Sequence, residues 1–393
     1  MIARVKAGDV LGAVKRALDL LGGIEEFVDK GDVVLVKPNL TRVTSEPHVC
    51  TSPEVVYAIA KLCREAGARE VIVAEPSPVG VDTLEAFRAS GVGEAARRAG
   101  AKVVDLKRCE FVRVEVPGGK AVKSLEVAKP VLETDVLIDA PKMKTHCTCI
   151  ITCALKNLKG VLSDVSKREM HRAGLFQAIA DLCTVVKPDL VVVDGVVCME
   201  GLGPVSGDPV RMDLIVAGAD PLAVDATCAR IMSFDPERIE VLVNAYKKGI
   251  GKLKEDEIEV VGEKIEDVRR KFKPPPMDIG EYFGVTGLKV DKACSGCIGT
   301  LITIFEAFKR KGELHLLKDY FFIAGPVEEI PEEAKGKKLV LFGNCTIKLR
   351  DKGLFIPGCP PRFGLAIPTL RQGEIIDKYE KEALQRLAHG THS

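Results

Sequence analysis

Residues 139–160 read DAPKMKTHCTCIITCALKNLKG and directly follow the apolar, β-rich run Asp135-Val136-Leu137-Ile138. The polar residues begin where a buried strand would end, at the edge where open α/β sheets place their ligands. Within this stretch stand Lys142, Lys144, Lys156 and Lys159, the imidazole of His146, Cys147, Cys149 and Cys153, and Asn157. Lysines at a strand exit neutralise a carboxylate or phosphate, and a histidine can move a proton near neutral pH. The plainer alternative is a solvated basic loop ahead of a helix with a cysteine-lined core face.

Working outward, the same rhythm recurs. Val33-Val34-Leu35-Val36 is a short, continuous, β-branched run that delivers KPNLTR, so Lys37, Asn39, Thr41 and Arg42 lie just past a strand end. Ser52-Pro53-Glu54 reads as a helix start, with serine as cap and proline at the first helical position. Glu70 to Ala74 is the next strand and exits into Glu75-Pro76-Ser77-Pro78, after which Thr83 to Ala99 is helical in pattern. Residues 102–129 suggest a hairpin attached to the main sheet, and Leu175 to Val186 a helix. Leu190 to Val193 forms a strand ending in Asp194-Gly195, and the glycine- and proline-rich VVCMEGLGPVSGDP after it reads as a long loop. Asp220 before Pro221 is placed to cap the helix that begins at Leu222, and Asp225 inside that helix faces the site or an ion pair. Glu257 to Val261 reads as a further strand. The triple proline after Lys273 is the clearest linker, giving an α/β domain over 1–275 and a smaller one over 276–393.

A chain of 393 residues is long enough for two or three domains, and a net charge of +1 argues against a generally basic nucleic-acid binder. No apolar run is long enough to span a bilayer, and MIARVKAGDV lacks the apolar core of a signal peptide, so a cytoplasmic protein without membrane contact is expected. Thirteen cysteines in such a chain read as buried thiols or metal ligands before disulfides. Those beyond the linker form a pattern: Cys294 and Cys297 as a CxxC pair ahead of a helix over 298–310, Cys345 at the end of the strand Leu339 to Phe342, and Cys359 in a glycine–proline turn. Four such thiolates suit a four-iron four-sulfur cluster or a zinc ion. The later pair is spaced 14 positions apart and Cys359 precedes a proline, both of which favour iron. Cys149 and Cys153 would share a face if they lay on a helix, as thiols filling a core.

The set VLVKPNL, PKMKTH, ALKNLKG, DGVVCMEGLGP and GADPLAVDA resembles the domain-of-unknown-function family 362 over roughly residues 33–230. That resemblance implies an iron-sulfur module at the carboxyl end but no agreed reaction. This chain lacks the repeated CxxCxxC run of a two-cluster ferredoxin tail. A fainter similarity is to the nickel-pincer lactate racemase family, in Asn39-Leu40-Thr41-Arg42 and in His146 followed ten residues later by Lys156. It implies Arg42 as a carboxylate binder, His146 as a proton carrier and Lys156 as an anchor for a ligand. Asn39 stands where that family has aspartate, and EPSPVG lacks its second histidine.

The expectation is an iron-sulfur enzyme, an oxidoreductase, lyase or isomerase, acting on a small anionic metabolite. Lys37, Asn39, Arg42, Lys144 and Asn157 bind the anion, and His146 and Lys156 are catalytic. Cys294, Cys297, Cys345 and Cys359 hold the cluster. The alternatives are an electron-transfer or cluster-carrier protein that docks a redox partner, and a zinc-stabilised module that binds nucleic acid or another ligand.

Overall fold

The computed structural model describes residues 1–6 and 8–374. The chain divides into two compact units, Met1–Pro275 and Pro276–Ser393.

The first unit is built on a mixed nine-stranded sheet. Its path runs β1 (Ile2–Arg4), β11 (Asp208–Gly218), β10 (Leu190–Glu200), β7 (Val136–Ala140), β2 (Val33–Pro38), β3 (Glu70–Glu75) and β4 (Lys102–Asp105). From β10 to β4 all neighbours are parallel, while β11 pairs antiparallel with β10 and β1. Alternation of side chains sends Val34, Val36, Val71 and Val73 into one core, under the helices Val10–Asp19 and Pro53–Glu65. Leu35, Leu137, Val191 and Val193 go into the other, under Asp164–Leu182 and Pro221–Ile231. A sheet covered on both faces explains why its strands read as unbroken apolar runs.

Several expectations required correction. Residues 142–146 are not a loop: they form β8 (Lys142–His146), which continues along β10 after a break at Pro141 and turns back through β9 (Ile150–Thr152). Cys149 therefore lies in a turn and Cys153 just ahead of a short helix, so they share no helical face. Residues 196–200 extend β10 past a bulge at Gly195 and pair with β11, so only the remainder of the glycine-rich stretch is a turn. The hairpin β5 (Phe111–Glu115) and β6 (Ser124–Ala128) is a separate two-stranded sheet, and only β4 joins the main one. Thr83 to Ala99 is two helices, broken where Gly91 takes φ 76°. The helix expected from Leu175 is present, ending at Leu182, and is preceded by a further helix from Asp164 that meets it at the non-helical Gly174. Residues 258–261 form no strand, and Gly262 makes a single bridge to Ile2. Asp220 caps the helix Pro221–Ile231 through the amides of Leu222 and Ala223, as its position before Pro221 foretold.

The second unit has a four-stranded parallel sheet, β12 (Leu288–Lys289), β13 (Tyr320–Ala324), β14 (Lys338–Phe342) and β15 (Leu354–Ile356), in sequence order. The helix Ser295–Arg310 packs on it through Phe305, whose ring meets Phe322 edge-on at 5.1 Å.

One lysine of β8 belongs to the scaffold. The Lys142 amine, fully buried, donates to Asp194 at 2.6 Å and to the Ser52 hydroxyl at 3.1 Å, while Asp194 also accepts from the Ser52 and Val196 amides. Ser52 thus spends its hydroxyl on Lys142 and makes no side-chain cap to its own helix. Removing one partner of a buried pair leaves the other charge uncompensated, so Lys142→Met is expected to destabilise the first unit by about 3 kcal/mol in urea unfolding. A loss under about 1 kcal/mol would show that the pair does not secure β8 to β10.

Candidate functional site

The parallel strands β2, β3 and β7 end side by side and deliver Lys37, Glu75 and Asp139, with Lys37 and Asp139 in register. Lys37 donates to the Pro38 carbonyl at 3.0 Å and lies 2.8 Å from Glu75, both side chains being buried. Gly160 packs on this pair: a Cβ there would fall 2.5 Å from Lys37 Cε and 3.2 Å from Glu75 Oε2, so only glycine allows the approach. Burial pushes the Glu75 carboxyl above its ordinary value, against the opposing charge of Lys37.

A chain of hydrogen bonds crosses the strand ends. Lys144 Nζ donates to Asn39 Oδ1 at 2.6 Å, Asn39 Nδ2 to Asn157 Oδ1 at 3.1 Å, and Asn157 Nδ2 to Asp139 Oδ1 at 2.7 Å. The remaining Lys144 contacts are to Val49 and Pro204 carbonyls and the Thr41 hydroxyl, so no carboxylate faces this buried amine. Desolvation lowers its pKa to about 7. Asp139 Oδ2 is buried without a hydrogen-bond partner, and burial raises that carboxyl to about 8, so Asp139 holds a proton at neutral pH.

His146, at the end of β8, is nearly enclosed. Its Nδ1 accepts from the backbone amides of Thr148 at 3.1 Å and Cys149 at 3.2 Å, with the Thr148 hydroxyl also at 3.2 Å. Two amides aimed at one ring nitrogen fix the tautomer that carries its proton on Nε2. Burial, then the charges of Lys156, His171, Lys144 and Lys159, hold the imidazolium pKa well below the usual range. In this arrangement the ring offers a hydrogen-bond donor through Nε2, while the Nδ1 lone pair is engaged by two amides.

Lys156 and Asn157 stand on the short helix Ala154–Asn157, whose first amides donate to Asp225 at 2.6 and 3.1 Å. Asp225 is thus the anchor of this turn, with a carboxyl raised to about 7 by burial. Two residues absent from the sequence reading join the site from the helix Asp164–Leu182: Lys167, which donates to the Pro76 carbonyl at 2.9 Å, and His171, which is hydrogen-bonded to Lys159. Their spacing of four residues, one face of a helix, was the available signal, but that segment lacked an apolar stripe to mark it as helix. Arg42 is exposed and outside this network.

In the second unit, Cys294 caps the helix on which Cys297 occupies the first turn, Cys345 follows the exit of β14, and Cys359 follows that of β15. The two exits are tied by the Asn344 amide to the Gly358 carbonyl at 2.9 Å, and by the Gly358 amide to Asn344 Oδ1 at 2.7 Å. A hydrogen bond with Cys294, burial, and the proximity of Cys359 and Cys345 drive the Cys297 thiol pKa far up. Four sulfurs whose charges oppose one another suit a cationic inorganic core, and Gly343, whose Cβ would sit 3.2 Å from Cys297 Sγ, keeps a side chain from that place. Among the described residues, no group of three or more His, Cys, Asp or Glu meets as ligands of a single metal ion.

The locked ring makes a direct prediction. Nitrogen-detected NMR of His146 should show a neutral ring protonated at Nε2 from about pH 6 to 8. An imidazolium signature at the lower end would remove the donor assignment.

A thylakoid-associated protein of Synechocystis is 30% identical over 258 residues, covering 62% of this chain and 77% of its own. The lactate racemase apoprotein of Thermoanaerobacterium thermosaccharolyticum matches with TM-score 0.41 and 16% identity over 59% of this chain and 56% of its own. A Thermotoga maritima protein matches with TM-score 0.31 and 12% identity over 61% and 58%. The chain thus spans less than two thirds of either solved structure. No helix among the described residues is long and apolar enough to cross a membrane. Residues 34–230 match the model of the Domain of unknown function (DUF362), and the chain belongs to that family.

Proposed function

We propose that the chain is a cytoplasmic iron-sulfur protein that acts as an enzyme on a small anionic metabolite, held at the strand ends of the first unit. The observation that carries this reading is the imbalance of buried charge. Lys37 is answered by Glu75, but Lys144 and Lys156 have no carboxylate opposite them among the described residues. Buried amines without counter-ions are costly unless they stay neutral or a ligand supplies the charge. A carboxylate or phosphate entering beside Lys144 and Lys156 would favour the charged form of both amines and supply the missing counter-charge. His146 Nε2–H then serves as an electrophile that stabilises oxyanion character on a substrate carbonyl. Asp139 keeps a proton within the same hydrogen-bonded chain, which lessens repulsion of the incoming anion.

Cys294, Cys297, Cys345 and Cys359 would hold the cluster, which when bound supplies electron transfer or cross-links the second unit. Their placement at two strand exits and a helix start, with glycine rather than a side chain beside Cys297, supports this set. Exposure of Cys345, with Lys348, Arg350 and Lys352 also at the surface, favours a second reading in which a redox partner protein exchanges electrons there.

Two measurements test the proposal. Protein purified without oxygen should carry about four iron and four sulfide per chain, with a brown absorption lost in Cys359→Ser, whereas one zinc and no sulfide would exclude the cluster. Lactate, oxalate or phosphate should raise the melting temperature by about 2–5 °C. The affinity should grow as pH falls through about 7, because Lys144 gains its charge there, and Lys144→Met should flatten that dependence. Absence of stabilisation at every pH would dispose of the anion pocket.

A further inference from the structure

The buried lysines of the first unit differ in one respect. Lys37 is engaged by Glu75 and the Pro38 carbonyl, Lys142 by Asp194, Lys144 by Asn39 and Val49, Lys159 by His171, and Lys167 by the Pro76 carbonyl. Lys156 alone of these makes no hydrogen bond or ion pair among the described residues, although the turn that carries it is anchored. Asp225 grips the two amides just before it, and the Asn157 side chain beside it reaches Asn39 and Asp139. Its amine lies close enough to His146 and His171 to oppose their protonation, and close enough to Lys37 to feel its charge. Its residue keeps some accessible surface. A rigid base carrying a disengaged amine in a desolvated place is how a nucleophilic lysine is built.

We infer that Lys156 forms an imine with the carbonyl of a small 2-oxo acid, whose carboxylate is held by the neighbouring lysines. This rests on the anion-pocket reading and adds covalent capture to it. The Lys156 lone pair forms the C–N bond as the carbonyl π pair moves to oxygen. The two protons leaving nitrogen and the departing oxygen become water, so the exchange is balanced without an oxidant or reductant. His146 Nε2–H stabilises the oxyanion while it exists. Burial lowers the Lys156 pKa and Lys37 adds to this, against the opposing influence of Cys149 and Cys147.

The test uses the full chain, pyruvate and cyanoborohydride, which delivers hydride to the imine carbon while water protonates nitrogen and leaves a stable carboxyethyl-lysine. The expected result is one carboxyethyl group per chain, located at Lys156 by peptide mapping and suppressed by excess lactate. Lys156→Arg should abolish that label, because arginine keeps the charge but is no nucleophile. If lactate stabilises the wild type but label is absent or scattered over surface lysines, covalent capture is overturned and the anion pocket stands. If no anion stabilises the protein and no label forms, both fall together.

Discussion

The cost of holding an ammonium group away from water governs the carboxyl edge of the large sheet. Each lysine there meets that cost differently, and the differences sort scaffold from site. Lys142 is matched to Asp194 and Ser52, which binds β8 to β10 and to the start of the helix Pro53–Glu65. Lys37 is matched to Glu75 under the glycine at position 160. Lys144 is held by neutral oxygens and Lys156 by nothing described, so the charge that the fold leaves unanswered is gathered at one place.

The amides around His146 extend the same logic to hydrogen bonding. The turn after β8 directs two backbone N–H groups at Nδ1, and this determines what the ring can do: it donates through Nε2 and has no lone pair to offer. A histidine beside lysines suggests a base in a linear sequence, yet here the same lysines oppose its protonation. The chain from Lys144 through Asn39 and Asn157 to Asp139 couples an amine of lowered pKa to a carboxyl of raised pKa. Near neutrality neither end carries a full charge.

The second unit repeats the arrangement with sulfur in place of nitrogen. Cys294 and Cys297 stand at a helix start and Cys345 and Cys359 after parallel strand exits, and the raised pKa of the Cys297 thiol records the influence of the other three. Spacing made these four conspicuous, because a CxxC pair and two cysteines in glycine-rich turns have few other uses. Lys167 and His171 were not conspicuous, since a helix whose polar face looks inward toward a site lacks the periodicity that marks an ordinary amphipathic helix.

The sequence by itself determined the strand runs at Val33, Glu70, Val136 and Leu190, because apolar β-branched residues in short unbroken runs are stable only between two covered faces. It also marked Lys37, Glu75 and the stretch from Asp139 as the carboxyl edge of the sheet, but placed them past the strand ends, whereas the strands run on through Pro38, Glu75 and Ala140 and bury these polar side chains. Only the tertiary structure decided which amine meets which oxygen. Asn39 reaches Asn157 across 118 positions, and Lys144 reaches Asn39 across 105. Periodicity records whether a residue is buried, not which distant residue completes its hydrogen bonds, so the isolation of Lys156 and the tautomer of His146 follow from the folded chain alone.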